Sequence, residues 1–282
     1  MVNMNNLSPS YNSMKTFVWL NSSLLFLSFL QYSAVEIITT NDNVSTFNLH
    51  YVLLFLIYLM KNYGLLSFVS SISQNKELIA PNYLIKENYR YEFDMNVIIS
   101  TVIETTTNTL ILFYYQFNTT DLITDVIYFI PTSFLFELIF DLFHYVGHYT
   151  LHKKSLYKYF HKKHHTYTHP SPIITFYQDP VDIIVTNSIP FILTLYIVPK
   201  MSYFQYTSII MYKTYGEICG HIGKKCHPTS SFCQFIWLPR ILHIELYGEE
   251  HDLHHSLNNC NYSKRFSIWD KIFGTFKTPL QL

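Results

Sequence analysis

The sequence predicts an all-α polytopic membrane protein with a cytosolic, histidine-rich cap. Three observations carry this reading. Charged residues make up only 13% of the 282 residues, against roughly a quarter in soluble domains. Apolar runs long enough to cross a bilayer recur along the chain, and no stretch sustains the alternation of a strand. The fourteen histidines crowd into a few short stretches.

Residues 1–15 are rich in Asn and Ser and are expected to be disordered. No charged start or small-residue cleavage site marks a secretory signal, so the first apolar run is expected to be retained. That run, 16–35, contains no charge and is long enough to span. The loop at 36–48 has acids and no Lys or Arg. A second run, 44–60, ends at Lys61, and Lys61, Lys76, Lys86 and Arg90 place the following loop on the cytoplasmic side. Residues 96–117 form a third span. A fourth, 126–143, is interrupted by Pro131 and carries Glu137 and Asp141. Intramembrane acids are costly and usually functional or paired.

The basic stretch Lys153, Lys154, Lys158, Lys162 and Lys163 then fixes the histidine side as cytosolic. Two shorter runs, 183–198 and a weaker 203–215, join at Pro199-Lys200 and read as a hairpin. Lys200 at its tip runs against the charge rule. Everything from Glu217 onward is expected to be cytosolic. The sequons Asn43-Val-Ser and Asn118-Thr-Thr fall in the two loops predicted to be lumenal. The chain thus divides into a terminus (1–15), an N-terminal transmembrane region (16–124) and a histidine-bearing domain (125–278). A formal net charge of zero gives no reason to expect a nucleic-acid partner. The four cysteines, Cys219, Cys226, Cys233 and Cys260, form no C-x-x-C pair and match no common zinc finger; they are expected to be free thiols.

The histidine spacing is the chemical signal. His148 and His152 are four apart and share one helix face. His161, His164 and His165 stand at i, i+3 and i+4, and His251, His254 and His255 repeat that spacing. Each group can aim several imidazoles at one point, and neutral imidazole suits iron, zinc and copper. His144 continues the ladder, but by i+8 the face has turned about 80° from His152. It is expected behind the ligands, donating to a carboxylate.

These boxes, H-x3-H at 148–152, H-x2-H-H at 161–165 and H-x2-H-H at 251–255, resemble the fatty acid hydroxylase superfamily, also called the sterol desaturase family. Asp141, the 156–160 stretch L-Y-K-Y-F, Asn261-Tyr262, Trp269-Asp270 and Phe273-Gly274-Thr275 agree with it. Gly220-His221-Ile222-Gly223 sits where the family often has H-S-G. The likeness covers about residues 125–278 and is nearest to the methylsterol monooxygenase branch, which tends to have a histidine at the position of His144. Two departures stand out. Asp179-Pro180 replaces a frequent His-Pro pair, and Ile222 replaces Ser.

The resemblance implies a di-iron centre that activates O2 to hydroxylate or desaturate a C–H bond of a sterol or fatty-acyl lipid. It implies His148, His152, His161, His164, His165, His251, His254 and His255 as metal ligands, with His221 as the ninth. His144, Asp179, His227 and Asp252 are candidate supporting groups or further ligands; at most one of His169, His227 and His243 is expected to bind metal. Asp270 is expected to be structural. Electrons would come from NAD(P)H through a cytochrome b5-type donor and its reductase, drawn by the exposed lysines. An endoplasmic reticulum or equivalent membrane is the implied location. Two other classes compete: a lipid-binding protein with a relic site, and a zinc-dependent membrane lipid hydrolase, which would need an open zinc position and a carboxylate base.

Overall fold

In the computed structural model, described over residues 11–40, 47–80, 90–225 and 232–278, the chain is almost entirely helical. Two isolated bridges, Leu78 with Lys224 and Asn118 with Ser202, are the only β pairing among the described residues. The main helices are α1 (Tyr11–Thr40), α2 (Phe47–Ser73), α3 (Arg90–Tyr114), α4 (Leu122–Leu151), α5 (Pro180–Ile197), α6 (Tyr203–Gly220) and α7 (Gly248–Leu257). The first five are long and apolar enough to cross a membrane. Their outward side chains include Phe26, Met60, Phe113, Ile127 and Ile197, each more than half exposed. Such a surface is unfavourable in water and well solvated by lipid.

α6 is the hub. It packs against α1, α2 and α4, and 14 of its 18 residues are buried. Its neighbours are protein rather than lipid, so it tolerates Gln205, Thr207, Ser208 and Thr214. That explains why its apolar run reads as weak. A capping box of Ser202 and Gln205 starts it, and Gln205 Nε2 also donates to the Asp125 carbonyl at 3.1 Å. α2 packs on α3, and α4 on α5. At Gly147 of α4 an added Cβ would lie 2.8 Å from the Val185 carbonyl oxygen, so only glycine allows α4 and α5 this approach.

Several local expectations change. α2 continues past Lys61, which is buried and paired with Glu104 of α3, with Thr214 Oγ1 at 2.8 Å. Lys61 therefore does not open a loop; a lysine inside a bundle is held by an acid partner. Pro131 does not interrupt α4, which runs unbroken for 30 residues. α5 contains a π-turn at Ile184–Ser188. Residues 1–10, Asn43 and Lys86 lie outside the described residues.

Candidate metal centre

The histidine boxes sit where the long helices end. His148 lies in the last turn of α4 and His152 caps it. The second box is not a regular α-helix: His161 closes a π-turn at Tyr157–His161, and His164 and His165 open a 3-10 turn. The third box lies in α7, and His221 caps the C-terminus of α6. Two turns hold these pieces in place. Gly223 has φ +63° and an added Cβ there would stand 2.2 Å from the Pro170 carbonyl oxygen, so the turn after His221 requires glycine. Asn258 and Asn261 also have positive φ, and Asn261 Nδ2 ties the segment after α7 to the carbonyls of Glu250 and Lys277.

The nine histidines named from the sequence converge in two groups. One gathers His148, His152, His161, His165 and His254; the other His164, His221, His251 and His255. The sorting follows the helix period. Each i,i+4 pair (148/152, 161/165, 251/255) shares a group, while the i+3 histidine of the second and third boxes, His164 and His254, crosses to the opposite group.

Within the groups, imidazole nitrogens face each other. His148 Nε2 and His165 Nε2 each stand 3.0 Å from His161 Nε2, and His254 Nε2 lies 3.1 Å from His165 Nε2. In the second group His221 Nε2 is 3.0 Å from His251 Nε2 and 3.4 Å from His164 Nε2. The opposite nitrogens show where the protons are. Nδ1 of His148 donates to the Tyr262 carbonyl at 2.7 Å, that of His254 to Cys260 at 2.7 Å, and that of His221 to Glu217 at 2.8 Å. His161 Nδ1 donates to Asp182 Oδ2 at 2.7 Å. With the proton on Nδ1, Nε2 presents a lone pair.

Lone pairs 3 Å apart repel unless a cation lies between them. With metal–nitrogen bonds of about 2.1 Å, imidazoles bound at right angles place their nitrogens about 3.0 Å apart. The donor set therefore fits a metal ion in each group. Burial and the neighbouring imidazoles hold His164, His165, His251 and His255 well below the usual histidine range. Burial pushes His254 down to about 3 and His221 to about 4. Neutral imidazoles are the ligand form. His152 Nε2 is buried with no hydrogen-bond partner among the described residues, as a coordinating nitrogen would be.

The other candidates stand apart. His144 is buried behind His148, its Nδ1 donating to the Thr186 carbonyl at 2.7 Å, so its partner is a backbone oxygen rather than a carboxylate. Asp179 caps α5, accepting from Val181 N at 2.9 Å. Asp252 pairs with His169 Nδ1 at 2.8 Å. His243 is exposed, and its carbonyl accepts from Lys271 Nζ at 2.6 Å. His227 lies outside the described residues, as does Cys226; Cys219, Cys233 and Cys260 are buried and none is in a disulfide among the described residues. The group that sequence reasoning missed is Asp182, three residues beyond Asp179 and one helical turn along α5. Asp270 accepts from the backbone N–H of Tyr262 and Ser263 at 2.8 and 2.9 Å, and so holds the carbonyl that orients His148. Asp141 does the same one step on, accepting from the N–H of Lys264, Arg265 and Phe266.

Comparison with known proteins agrees with this geometry. The family model for fatty acid hydroxylase matches residues 133–275, just over half of the chain. The chain belongs to the fatty acid hydroxylase family. Among curated relatives it is 33% identical over 149 residues to the fatty acid hydroxylase vlmA of Lecanicillium sp, covering 50% of this chain and 40% of that protein. It is 31% identical over 148 residues to human lathosterol oxidase, covering 52% and 44%. It is 30% identical over 150 residues to the methylsterol monooxygenase erg25B of Aspergillus fumigatus, covering 51% and 47%. The chain thus spans less than half the length of these relatives. No solved structure matches.

Proposed function

We propose that this chain is a membrane oxidoreductase that uses O2 to hydroxylate or desaturate a C–H bond of a sterol or fatty-acyl lipid, with two irons held by the nine histidines. The observation that supports it most is the pairing of unprotonated Nε2 atoms in two adjacent groups. Bound there, reduced iron supplies the dioxygen activation that side chains alone cannot provide. Hydroxylation balances as lipid C–H plus O2, two electrons and two protons giving lipid C–OH and water.

The protein's part is ligation, orientation and exclusion of water. The carbonyls of Tyr262, Cys260 and Glu217 and the carboxylate of Asp182 fix the ring tautomers, which tunes the metals. Electrons are proposed to come from NAD(P)H through a cytochrome b5-type donor. Lys153, Lys154, Lys158 and Lys162 are exposed beside the second box and suit an acidic partner. Lys163 is half-buried and bonded to Asn96 Oδ1, so it is left out of that surface. An endoplasmic reticulum membrane with the boxes facing the cytosol is the proposed setting. A zinc hydrolase is disfavoured: Asp182, the carboxylate lining the small space between the clusters, is already engaged by His161.

The test is to load the purified protein with Fe(II) without oxygen, then add a reductant and O2 in the presence of membrane lipid extract. Oxygen uptake with a newly hydroxylated or desaturated lipid is expected. Lipid hydrolysis with zinc and no oxygen uptake would overturn the proposal.

A further inference from the structure

Beside the clusters lies a cavity of about 670 Å³, open mouth included, walled by α2, α3, α5, α6 and the turn at Pro172–Phe176. Gln178 lines both this cavity and the small space between the histidine clusters, so the two share a wall. The charges in the cavity wall are already paired. Glu104 holds Lys61, and Glu217 holds Lys213 at 2.5 Å and Lys264 at 3.0 Å.

Three polar atoms on this wall have no partner among the described residues: Asn62 Oδ1, Thr175 Oγ1 and Gln178 Oε1. Their residues are 0%, 6% and 6% exposed. The amide orientations follow from their other bonds. Asn62 Nδ2 donates to Thr101 Oγ1 and to Glu104 Oε2, each at 3.0 Å. Gln178 Nε2 donates to the Thr175 carbonyl at 3.0 Å. Two of the three orphan atoms are therefore acceptors, and the third is a hydroxyl that can serve either way. A buried acceptor left without a donor is costly, and all three residues line one cavity.

We propose that Asn62, Thr175 and Gln178 form the polar end of the lipid site and select a neutral lipid that donates a hydrogen bond through a hydroxyl or an amide N–H. An ionised carboxylate has only acceptors. It would meet two further acceptors, and Lys213, the lysine that lines the cavity, is already bonded to Glu217. The use of this site rests on the oxidase reading above, whereas the binding preference does not. Asn62 lies outside the residues matched by the family model, so this selectivity belongs to the chain's N-terminal helices as much as to its histidine domain.

The experiment reads binding without oxygen or reductant, so failure of the oxidase reading leaves it intact. The full chain in detergent is given tritiated 1-hexadecanol, competed by unlabelled 1-hexadecanol, N-hexadecylacetamide or hexadecyl methyl ether. The ether matches the alcohol but lacks the donor. At least one donor lipid is expected to bind about tenfold tighter than the ether, and whichever does identifies the donor as hydroxyl or amide. Gln178→Met should close most of that gap. Thr175→Val removes a hydroxyl with no protein partner, so it tests the site without loss of a hydrogen bond in the fold; it should narrow the gap about threefold. Equal binding of ether and both donor lipids would overturn the proposal. So would a gap unchanged in Thr175→Val, because the orphan atoms would then be served by water alone.

Discussion

The two histidine clusters differ in number and in what stands behind them. The first holds five imidazoles, backed by the Asp182 carboxylate and the carbonyls of Tyr262 and Cys260. The second holds four, backed at His221 by the Glu217 carbonyl. A carboxylate behind an imidazole makes it a stronger electron donor than a carbonyl does. On the proposed reading the first metal is the better shielded and more strongly donated, and the second keeps more of its coordination sphere for small molecules. Only the second and third boxes reach both sides; the first box serves one cluster alone and His221 the other, so the centre is not symmetric.

The largest expected effect comes from removing one ligand on each side. His161→Ala and His251→Ala should each lower lipid oxidation by at least about 100-fold, since the proposed chemistry uses both metals. Each variant should remain in the membrane, because neither residue belongs to a span. Activity above half of the unmodified level in either one, at equal expression, would separate that cluster from catalysis.

Asp182→Asn sharpens the comparison. The amide oxygen can still accept from His161 Nδ1, so the ring stays oriented while the charge is lost. Metal affinity of the first cluster should fall about 10–100-fold, with the second unchanged, as read by chelator competition. Equal weakening at both sites would show that Asp182 does not belong to one cluster.

The pH dependence of the metal-free protein should follow the depressed imidazoles. The unfolded chain binds protons below about pH 6.5, whereas His221 and His254 in the fold do so only near 4 and 3. The unfolded state therefore holds more protons in this window, and stability falls as pH drops from 6.5 toward 4. It should be level above 7 as far as these groups are concerned. Denaturant midpoints between pH 4 and 8 check this; a midpoint constant across the range would contradict it.

The smallest effect is expected at Asp179. Its carboxylate caps α5, so Asp179→Ala should cost about 1 kcal/mol of stability and leave metal content unchanged. A loss of metal would mean that Asp179 reaches the centre.

Much of this arrangement was legible in the sequence because it follows the helix period. The i,i+4 spacing put three histidine pairs each on one face, and each pair shares a group, whereas His221 was named only through the family resemblance. The division of labour within the boxes was less legible, since the second box winds through a π-turn and a 3-10 turn that spacing does not announce. The supports behind the rings are mostly backbone carbonyls, which every residue carries. Asp182 could have been found from its place one turn after Asp179; the unusual Asp179-Pro180 pair drew attention to the capping residue instead. Lys61 was misplaced because a lysine at the end of an apolar run resembles a loop boundary until its partner Glu104, 43 residues away, is known. The orphan polar atoms of the cavity belong to two distant segments, α2 and the turn that carries Thr175 and Gln178, and nothing in the sequence links the two.

Metal stoichiometry tests the two histidine sites most directly. Protein loaded with Fe(II) without oxygen, freed of excess metal and analysed for iron should hold two equivalents per chain. His251→Ala should keep one, and so should His161→Ala. One equivalent in the unmodified chain, or loss of both from either variant, would contradict two separate histidine sites.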